Sequence, residues 1–162
     1  MEKLKKDLLA LLQEDARFSY EKLAKMTSTT KEQVEDAVAA LEADGIIVGY
    51  TTVLNSDLLE EEKVQALIEV RVTPQRNKGF DAIAEEVIKF DEVESVYLMS
   101  GGYDLTVVVN GKNLKEVAMF VSERLSTLDD VISTTTHFIL KKYKLNGKLL
   151  EEKIDNRIVV NP

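Results

Sequence analysis

The chain has 162 residues, of which 44% are hydrophobic and 31% charged, enough apolar material for one packed domain or two small ones. It contains no cysteine and one histidine, His137, which excludes disulfides and argues against a zinc site with Cys or His ligands. No apolar run approaches the roughly 18 residues of a membrane span, so we expect a cytosolic protein without a transmembrane helix or signal peptide. The net charge of −8 excludes general attraction to nucleic acid or anionic lipid, so any nucleic-acid contact must be local.

Three short helices are predicted at the beginning of the chain. Apolar residues recur at helical spacing over residues 3–14 and again over 30–44. Between them, Ser19 is a suitable N-cap for a short helix over residues 20–26, which a polar turn follows.

The third helix has a signal at each end. Thr29 and Glu32 are spaced as a capping box, and Gly45 suits the left-handed residue that ends a helix. The following stretch, IIVGYTTVLN at 46–55, is β-branched and aromatic, which predicts a wing or a linking strand. We place the domain boundary in the acidic connection SDLLEEEK at 56–63, because the periodicity changes there from helical to alternating.

Beyond this boundary the elements follow the order β-α-β-β-α-β. One face of the first strand is predicted to be apolar, with Ala66, Ile68, Val70 and Val72. The second helix is predicted to bury a wide apolar stripe of Leu114, Val117, Ala118, Val121 and Leu125. The first helix is predicted at about 78–90, and the strands at 64–73, 93–100, 104–110 and 131–144.

That order is typical of the split β-α-β, ferredoxin-like fold, an α+β arrangement in which a four-stranded antiparallel sheet carries both helices on one face. The other face is predicted to be uncovered. Its apolar side chains are expected to be Leu67, Val96, Leu98 and Val108. A face this apolar is not left entirely in water, so we expect a partner subunit to cover it.

Three segments together resemble the Lrp/AsnC (feast/famine) family of transcriptional regulators. They are LLALLQEDARFSYEKLAKM at 8–26, LEADGIIVGYTTVLN at 41–55 and SGGYDL at 100–105. The resemblance covers residues 1 to about 144. It implies a winged helix-turn-helix DNA-binding domain at 1–50, a linker strand and connection at 51–63, and a RAM-type ferredoxin-like effector-binding and oligomerisation domain at 64–144. The C-terminal tail, residues 145–162, has no predicted element.

In such regulators the second helix of the motif lies in the major groove, while flanking residues contact phosphates. The resemblance therefore implies that residues 30–44 read double-stranded promoter DNA. Thr30 and Gln33 are then nearest the bases. The residues implied in DNA binding are Lys22, Lys25, Ser28, Thr29, Thr30, Lys31 and Gln33.

The charge of this helix leaves an alternative open. Its exposed side sets the single cation Lys31 against Glu32, Glu35, Asp36 and Glu42. Family members usually show one or two basic residues among the positions taken here by Asp36, Ala37, Ala39 and Ala40. Carboxylates accept hydrogen bonds from cytosine but add no attraction to phosphate. The alternative is a ligand-sensing oligomer whose acidic helix-turn-helix binds DNA weakly or serves as a scaffold.

The SGGYDL segment resembles the Thr-Gly-x-x-Asp effector loop of the family, with a serine in place of the threonine. Glycines let backbone N–H groups approach a small carboxylate, and Asp104 is expected to take the ammonium of an amino acid. The alternative is that Gly101 and Gly102 only make a hairpin turn. Family effector pockets form between dimers, so the implied site includes the last strand and consists of Ser100, Gly101, Gly102, Tyr103, Asp104, Thr134 and Thr136.

The implied function is an amino-acid-responsive, DNA-binding transcriptional regulator whose homodimers assemble into tetramers or octamers. No metal, cofactor or enzymatic activity is expected, because the sequence contains no nucleophile motif, phosphate loop or paired catalytic carboxylates, and His137 fits a structural position on a strand. An enzymatic alternative exists, since sirohaem decarboxylases resemble the same two-domain architecture. They need histidine and basic groups around a carboxylate-rich tetrapyrrole, and a single histidine argues against that chemistry.

Overall fold

The structure is a computed structural model that describes residues 2–59, 63–74 and 79–150. The chain divides into two compact units, Met1–Thr52 and Val53–Pro162. Each unit has a hydrophobic core of its own. Of the predicted tail at 145–162, residues 151–162 lie outside the described residues.

The first unit is built from three helices, as predicted. They are α1 (Glu2–Glu14), α2 (Tyr20–Thr27) and α3 (Lys31–Ala43). Their apolar faces meet in one small core, because the helical spacing places the apolar side chains of each helix on one side. The fully buried members of that core include Leu8, Leu23, Val34 and Val38.

The turn between α2 and α3 explains why one predicted cap was wrong. Ser28 adopts a left-handed conformation with φ 54°, and the Thr29 N–H donates back to the Ala24 carbonyl at 2.9 Å. Thr29 therefore belongs to the end of α2, and α3 begins one residue later than predicted. The capping box is formed by Thr30 and Gln33 and not by Thr29 and Glu32.

The strand predicted at 46–55 is not formed. Gly45 ends α3 in the left-handed region with φ +68°, as predicted, but the residues after it have no strand partner among the described residues. Val48 is 94% exposed, which is the reverse of what a packed strand residue shows. A β-branched composition favours extended backbone, yet a strand also needs a neighbour for its hydrogen bonds, and the described chain provides none here.

The second unit has the predicted order of elements, and its four main strands form one antiparallel sheet in the order β2-β3-β1-β4. This is the ferredoxin-like arrangement expected from the sequence. The elements are β1 (Val64–Val72), α4 (Asp81–Val87), β2 (Val93–Leu98), β3 (Leu105–Gly111), α5 (Leu114–Phe120), β4 (Val131–Phe138), β5 (Lys144–Leu145) and β6 (Lys148–Leu149).

The last strand is shorter than predicted and is followed by a small hairpin. β4 ends at Phe138, and β5 pairs with β6 across Asn146 and Gly147. Both turn residues have positive φ, 46° and 79°, the conformation for which Asn-Gly is preferred in tight hairpins. The Asn-Gly pair was the sequence signal for this element, which the prediction missed.

One face of the sheet packs on α4 and α5 to form the core of the unit. The apolar face of β1 predicted from alternation is confirmed, since Ala66, Ile68, Val70 and Val72 are all buried. The stripe predicted for α5 is only partly correct, because Leu114 is 57% exposed and Ala118 is exposed while Phe120 is buried. A π-helical turn at Val121–Leu125 continues α5, and its wider hydrogen-bonded loop keeps Val121 and Leu125 on the sheet.

The opposite face, here called the open face, is formed by the register partners Leu67, Glu69, Tyr97, Thr106, Val108 and His137. No helix of the described residues covers it. The prediction was wrong for Val96 and Leu98, which pair with the buried Val107 and Leu105 on the helix side. The register of β2 shifts between Val93 and Ser95, and such a bulge moves every later side chain to the other face.

Gly111 provides a test of the packing between β3 and α5. A Cβ at this position would lie 2.7 Å from Cγ2 of Val117, a stiff β-branched residue in the core. We expect Gly111→Ala to lower the free energy of unfolding of the second unit by about 1–3 kcal/mol, as overpacking does. Chemical denaturation measures this. Gly102→Ala is the matched control, because its Cβ would meet nothing within 4 Å, and equal losses in the two variants would contradict the packing argument.

Candidate nucleic-acid interface and effector loop

The candidate reading surface consists of α2, α3 and the turn at 28–30 between them. Three lysines were expected there, and their environments differ. The Lys22 ammonium lies 3.9 Å from the centre of the Phe18 ring, Lys25 is exposed, and Lys31 is held by carboxylates. Of these three lysines, only Lys31 has an acidic partner among the described residues.

Thr30 and Gln33, expected nearest to the bases, hold each other at the start of α3. The Gln33 backbone N–H donates to the Thr30 hydroxyl oxygen at 3.2 Å, and the Thr30 N–H donates to the Gln33 amide oxygen at 3.2 Å. These bonds use the acceptor atoms of both side chains. The Gln33 NH₂ group and the Thr30 hydroxyl hydrogen remain as donors, so this end of α3 presents donors outward.

Ser28 and Thr29 shape the turn through their backbones. The Ser28 N–H donates to carbonyls at the end of α2, and the Thr29 hydroxyl lies 2.8 Å from that of Thr27. Ser28 is exposed and in the left-handed region, so it sets the direction in which the chain enters α3.

Lys31 forms ion pairs with two carboxylates, unlike the other lysines of the reading surface. Its ammonium lies 2.7 Å from Oε1 of Glu21 on α2 and 3.7 Å from Oε1 of Glu35, one turn along α3. The hydrogen bond and the charge of Glu21, followed by the charge of Glu35, raise the pKa of Lys31 above its usual value. The sequence did not indicate Glu21, because it lies on a different helix and approaches Lys31 only after folding.

Other cations of the first unit are also paired. The Lys5 ammonium lies 3.4 Å from Asp44, and the Arg17 guanidinium lies 3.2 Å from Asp15. Ion pairs therefore neutralise three of the seven cations of residues 1–50, a region whose net charge is already negative. Long-range electrostatic attraction to DNA is weak as a result.

The segment after α3 is tied to that helix by Tyr50. Its hydroxyl donates to Oε1 of Glu42 at 2.9 Å, and its ring lines a cleft of about 330 Å³ together with Phe18 and Tyr20. Burial, and then the hydrogen bond and charge of Glu42, raise the pKa of Tyr50 to about 12. This contact fixes the path of the chain as it leaves the reading surface.

In the second unit, the candidate effector loop is residues 100–104. It joins β2 to β3, and both of its ends are held by hydrogen bonds. The Met99 N–H donates to the Asp104 carbonyl at 2.8 Å, and the Asp104 N–H donates to the Val70 carbonyl at 3.0 Å. The Asp104 carboxylate accepts the Val72 N–H at 2.9 Å through Oδ2. Asp104 thus caps β1 at the position where its pairing with β4 shifts register.

The two glycines of the loop are not required by the backbone. Neither Gly101 nor Gly102 has a φ in the left-handed region, and a Cβ on either would meet nothing within 4 Å. The space around them is open to solvent. Neither the backbone conformation nor the packing of the described residues therefore requires glycine at these two positions.

The Tyr103 side chain connects the loop with the open face of the sheet. The Thr106 hydroxyl, on β3, donates to the Tyr103 hydroxyl at 3.3 Å. Thr106 is only 5% exposed, although its register partners Glu69 and Tyr97 belong to the open face. The Tyr103 side chain therefore borders both the effector loop and the open face.

The structure does not bring the predicted Thr134 and Thr136 to that side. They pair with Val70 and Ile68, whose side chains face the helices, and the Thr134 hydroxyl lies 3.2 Å from that of Ser126. Their neighbours Thr135 and His137 occupy the open face instead, and His137 Nε2 lies 3.2 Å from Oε1 of Glu69. Within one chain, Thr134 and Thr136 therefore lie on the opposite face of the sheet from Tyr103.

Other possible sites lie elsewhere or are not seen in the described part of the chain. A cleft of about 410 Å³ lies at the opposite end of the sheet, between the start of β2 and α5, where Glu92 pairs with Arg124. Residues 2–59, 63–74 and 79–150 contain no group of three or more residues able to hold a metal ion. Within the same residues no helix has the length and apolar character required to cross a membrane.

Comparison with known protein families assigns both halves. Residues 1–48 match the winged helix-turn-helix DNA-binding model, and residues 65–149 match the Lrp/AsnC ligand binding domain. The chain belongs to the Lrp/AsnC family. Its members among the curated relatives are named as HTH-type transcriptional regulators, so the chain is a DNA-binding transcriptional regulator with a ligand-binding domain, as the resemblance implied.

Two curated relatives illustrate the match. The chain is 48% identical over 158 residues to the uncharacterized HTH-type transcriptional regulator YugG of Bacillus subtilis, covering 96% of this chain and 95% of YugG. It is 27% identical over 140 residues to the proline dehydrogenase transcriptional activator of Rhizobium radiobacter, covering 86% of this chain and 89% of that protein. The match to each of these relatives therefore extends over both units of the chain.

Solved structures support the fold. E. coli AsnC superposes with a TM-score of 0.69 at 23% identity, covering 90% of this chain and 95% of AsnC. The complex of the regulator NMB0573 with L-Met, from Neisseria meningitidis, superposes with a TM-score of 0.72 at 23% identity, covering 90% of this chain and 93% of that one. The architecture of this chain is therefore that of the Lrp/AsnC fold.

The raised pKa of Tyr50 predicts how the stability of the first unit depends on pH. Because the folded pKa, about 12, exceeds the unfolded value of about 10, the contribution to stability is complete below pH 10 and is lost as pH rises through 12. We expect Glu42→Gln to lower the Tyr50 pKa, since it removes the carboxylate that opposes the phenolate. Ultraviolet absorbance of tyrosinate, taken as the difference from Tyr50→Phe, measures the shift. An unchanged titration in Glu42→Gln would show that Glu42 does not act on the phenol.

Proposed function

We propose that this regulator responds to an amino acid bound at the effector loop, where a second copy of the chain completes the site. The observation that carries the proposal is the position of Tyr103, which joins the loop to the open face through Thr106. A ligand beside the loop is then also beside any subunit that covers that face. Ligand binding and assembly are coupled because they share this side chain.

The chemistry of the loop suits a zwitterion. Gly101 and Gly102 leave their backbone amides accessible to a carboxylate, and Asp104 supplies the negative charge for an ammonium. Oδ2 of Asp104 is used by Val72, while Oδ1 is not needed for that bond. Ser100 and Tyr103 add hydroxyl groups at the two ends of the turn. The Neisseria regulator that shares the fold was solved with L-Met, which supports an amino acid as the ligand class.

We propose that Thr134 and Thr136 support this site indirectly and do not touch the ligand. Both side chains lie on the helix side of β4, away from Tyr103. The residues of β4 that reach the open face are Thr135 and His137. They are better placed to meet a second subunit.

Homodimerisation through the open face, followed by assembly into tetramers or octamers, is part of the same proposal. Leu67 and Val108 are directly opposed there, and Tyr97 is 53% exposed. Apolar side chains on an otherwise complete sheet are the kind of surface that oligomers bury. A symmetric pair of open faces places two copies of Tyr103 at one interface.

DNA binding through α3 is proposed to be weak for each reading surface and strengthened by assembly. The proposed contacts are Lys22, Lys25 and Lys31 with phosphates, Thr30 and Gln33 near bases, and Ser28 and Thr29 at the turn. A reading surface with three lysines, one of them paired with carboxylates, predicts a shallow dependence of affinity on salt, since each phosphate contact contributes roughly 0.9 to the slope. Linked reading surfaces gain about 100-fold or more without new contacts. The protein acts as a regulator, not an enzyme, in the cytoplasm where the DNA lies.

Leu67→Arg tests the assembly. A buried unpaired charge in each copy is expected to raise the dissociation constant of the dimer by about 100-fold or more, with the subunit fold retained. Light scattering over a range of concentrations measures the change. Leu140→Arg is the control, because Leu140 is 95% exposed and does not lie on the sheet. If the parent protein is monomeric at micromolar concentration, the proposed homodimer through the open face is wrong.

Asp104→Asn tests the effector site without damaging the loop. The amide oxygen of asparagine still accepts the Val72 N–H, but the charge that pairs with an ammonium is lost. Calorimetry against the twenty amino acids should find a ligand whose binding weakens by about 1–3 kcal/mol in this variant. Asp129→Asn, an exposed aspartate outside the loop, should bind as the parent does. If the parent and Asp104→Asn bind the amino acid with equal affinity, Asp104 does not pair with its ammonium, and the loop is only a hairpin turn.

A further inference from the structure

We infer that Glu21 sets the DNA affinity of the reading surface, because it holds the Lys31 ammonium in competition with DNA phosphate. Glu21 and Glu35 together form the acidic clamp, with Lys31 between them. The inference rests on the proposed position of Lys31 at phosphates. It adds a residue from α2 that makes no contact with DNA itself but determines how readily Lys31 makes one.

The geometry favours Glu21 as the principal partner. Its Oε1 is 2.7 Å from the Lys31 ammonium, the distance of a strong charge-assisted hydrogen bond, whereas Oε1 of Glu35 is 3.7 Å away. Glu35 is one turn along the same helix, so it follows Lys31 in any movement of α3. Glu21 lies on the preceding helix and therefore holds the lysine toward α2.

The position of Glu21 is itself fixed by its helix. It lies in the first turn of α2, two residues after the N-cap Ser19, so its carboxylate is close to the backbone N–H groups at the start of that helix. The hydrogen bond from Lys31, and then the backbone N–H, lower the pKa of Glu21. The carboxylate therefore stays ionised at neutral pH, where DNA binding takes place.

Binding to DNA requires an exchange. Either the Lys31 ammonium leaves Oε1 of Glu21 and binds a phosphate oxygen, or it contacts both oxygens at once. In both cases the Glu21 carboxylate remains close to the DNA without full neutralisation of its charge. Both the lost contact and the repulsion oppose binding. The clamp is solvent-exposed, with 50% of the Lys31 side chain and 57% of the Glu21 side chain accessible, so the barrier is modest and the exchange is readily reversible.

The test is a double-mutant cycle on the full-length protein. The four proteins are the parent, Glu21→Gln, Lys31→Ala and the double variant. Each is titrated against a fluorescently labelled, mixed-sequence DNA duplex of about 30 base pairs, three helical turns, at several potassium chloride concentrations. Glu32→Gln, alone and with Lys31→Ala, is the matched control. It removes the same charge from the same surface, and its carboxylate has no ion pair with Lys31.

We expect Glu21→Gln to tighten binding by about two- to fivefold for each reading surface, and this gain to disappear when Lys31 is alanine. The gain from Glu32→Gln, which comes only from reduced repulsion, should persist in the Lys31→Ala background. The melting of the first unit, followed by circular dichroism, should change little in Glu21→Gln, because exposed ion pairs contribute little to stability.

Two results would overturn the inference in different ways. If Lys31→Ala binds DNA as the parent does, Lys31 is not at a phosphate, and both its proposed position and the clamp are wrong. If Lys31→Ala weakens binding but Glu21→Gln tightens it equally in both backgrounds, Lys31 contacts DNA and only the competition by Glu21 is excluded.

Discussion

The second unit depends on the two-residue alternation of β1. This strand pairs with β3 on one side and β4 on the other. Its register therefore determines which side chains of these three strands point toward the helices and which point to the open face. Val70 and its alternate neighbours are buried under the helices, while Leu67 and Glu69 point to the open face. A slip of one residue would exchange the two faces. The hydrogen bond from Val72 to Asp104 ends this strand at a defined residue, and the same aspartate belongs to the effector loop.

In the first unit, fold and charge are separable. Residues that face the core, such as Val34 and Val38, make the helix-turn-helix, whereas Lys31 and the carboxylates around it lie outside. General electrostatic attraction between this surface and a polyanion is small, so selectivity for a DNA sequence has to come from local geometry.

The order of elements and most of the buried positions followed from periodicity, because apolar spacing directly reflects which side of a helix or strand meets a core. Three kinds of detail did not. The bulge in β2 reversed the facing of Val96, the segment 46–55 had no strand to pair with, and the cap of α3 moved to Thr30 because Ser28 is left-handed. The candidate effector loop was proposed from the family resemblance, and it stays a prediction. The contact between Glu21 and Lys31 could not be predicted, since it joins two helices through the tertiary fold.

The two cores have no residue in common among the described positions. A substitution at a core position of one unit therefore removes no residue from the core of the other. The surface charge of the helix-turn-helix can therefore change without loss of the core of the ligand-binding half. This independence allows the three-helix arrangement to form here although α3 carries one lysine against four carboxylates.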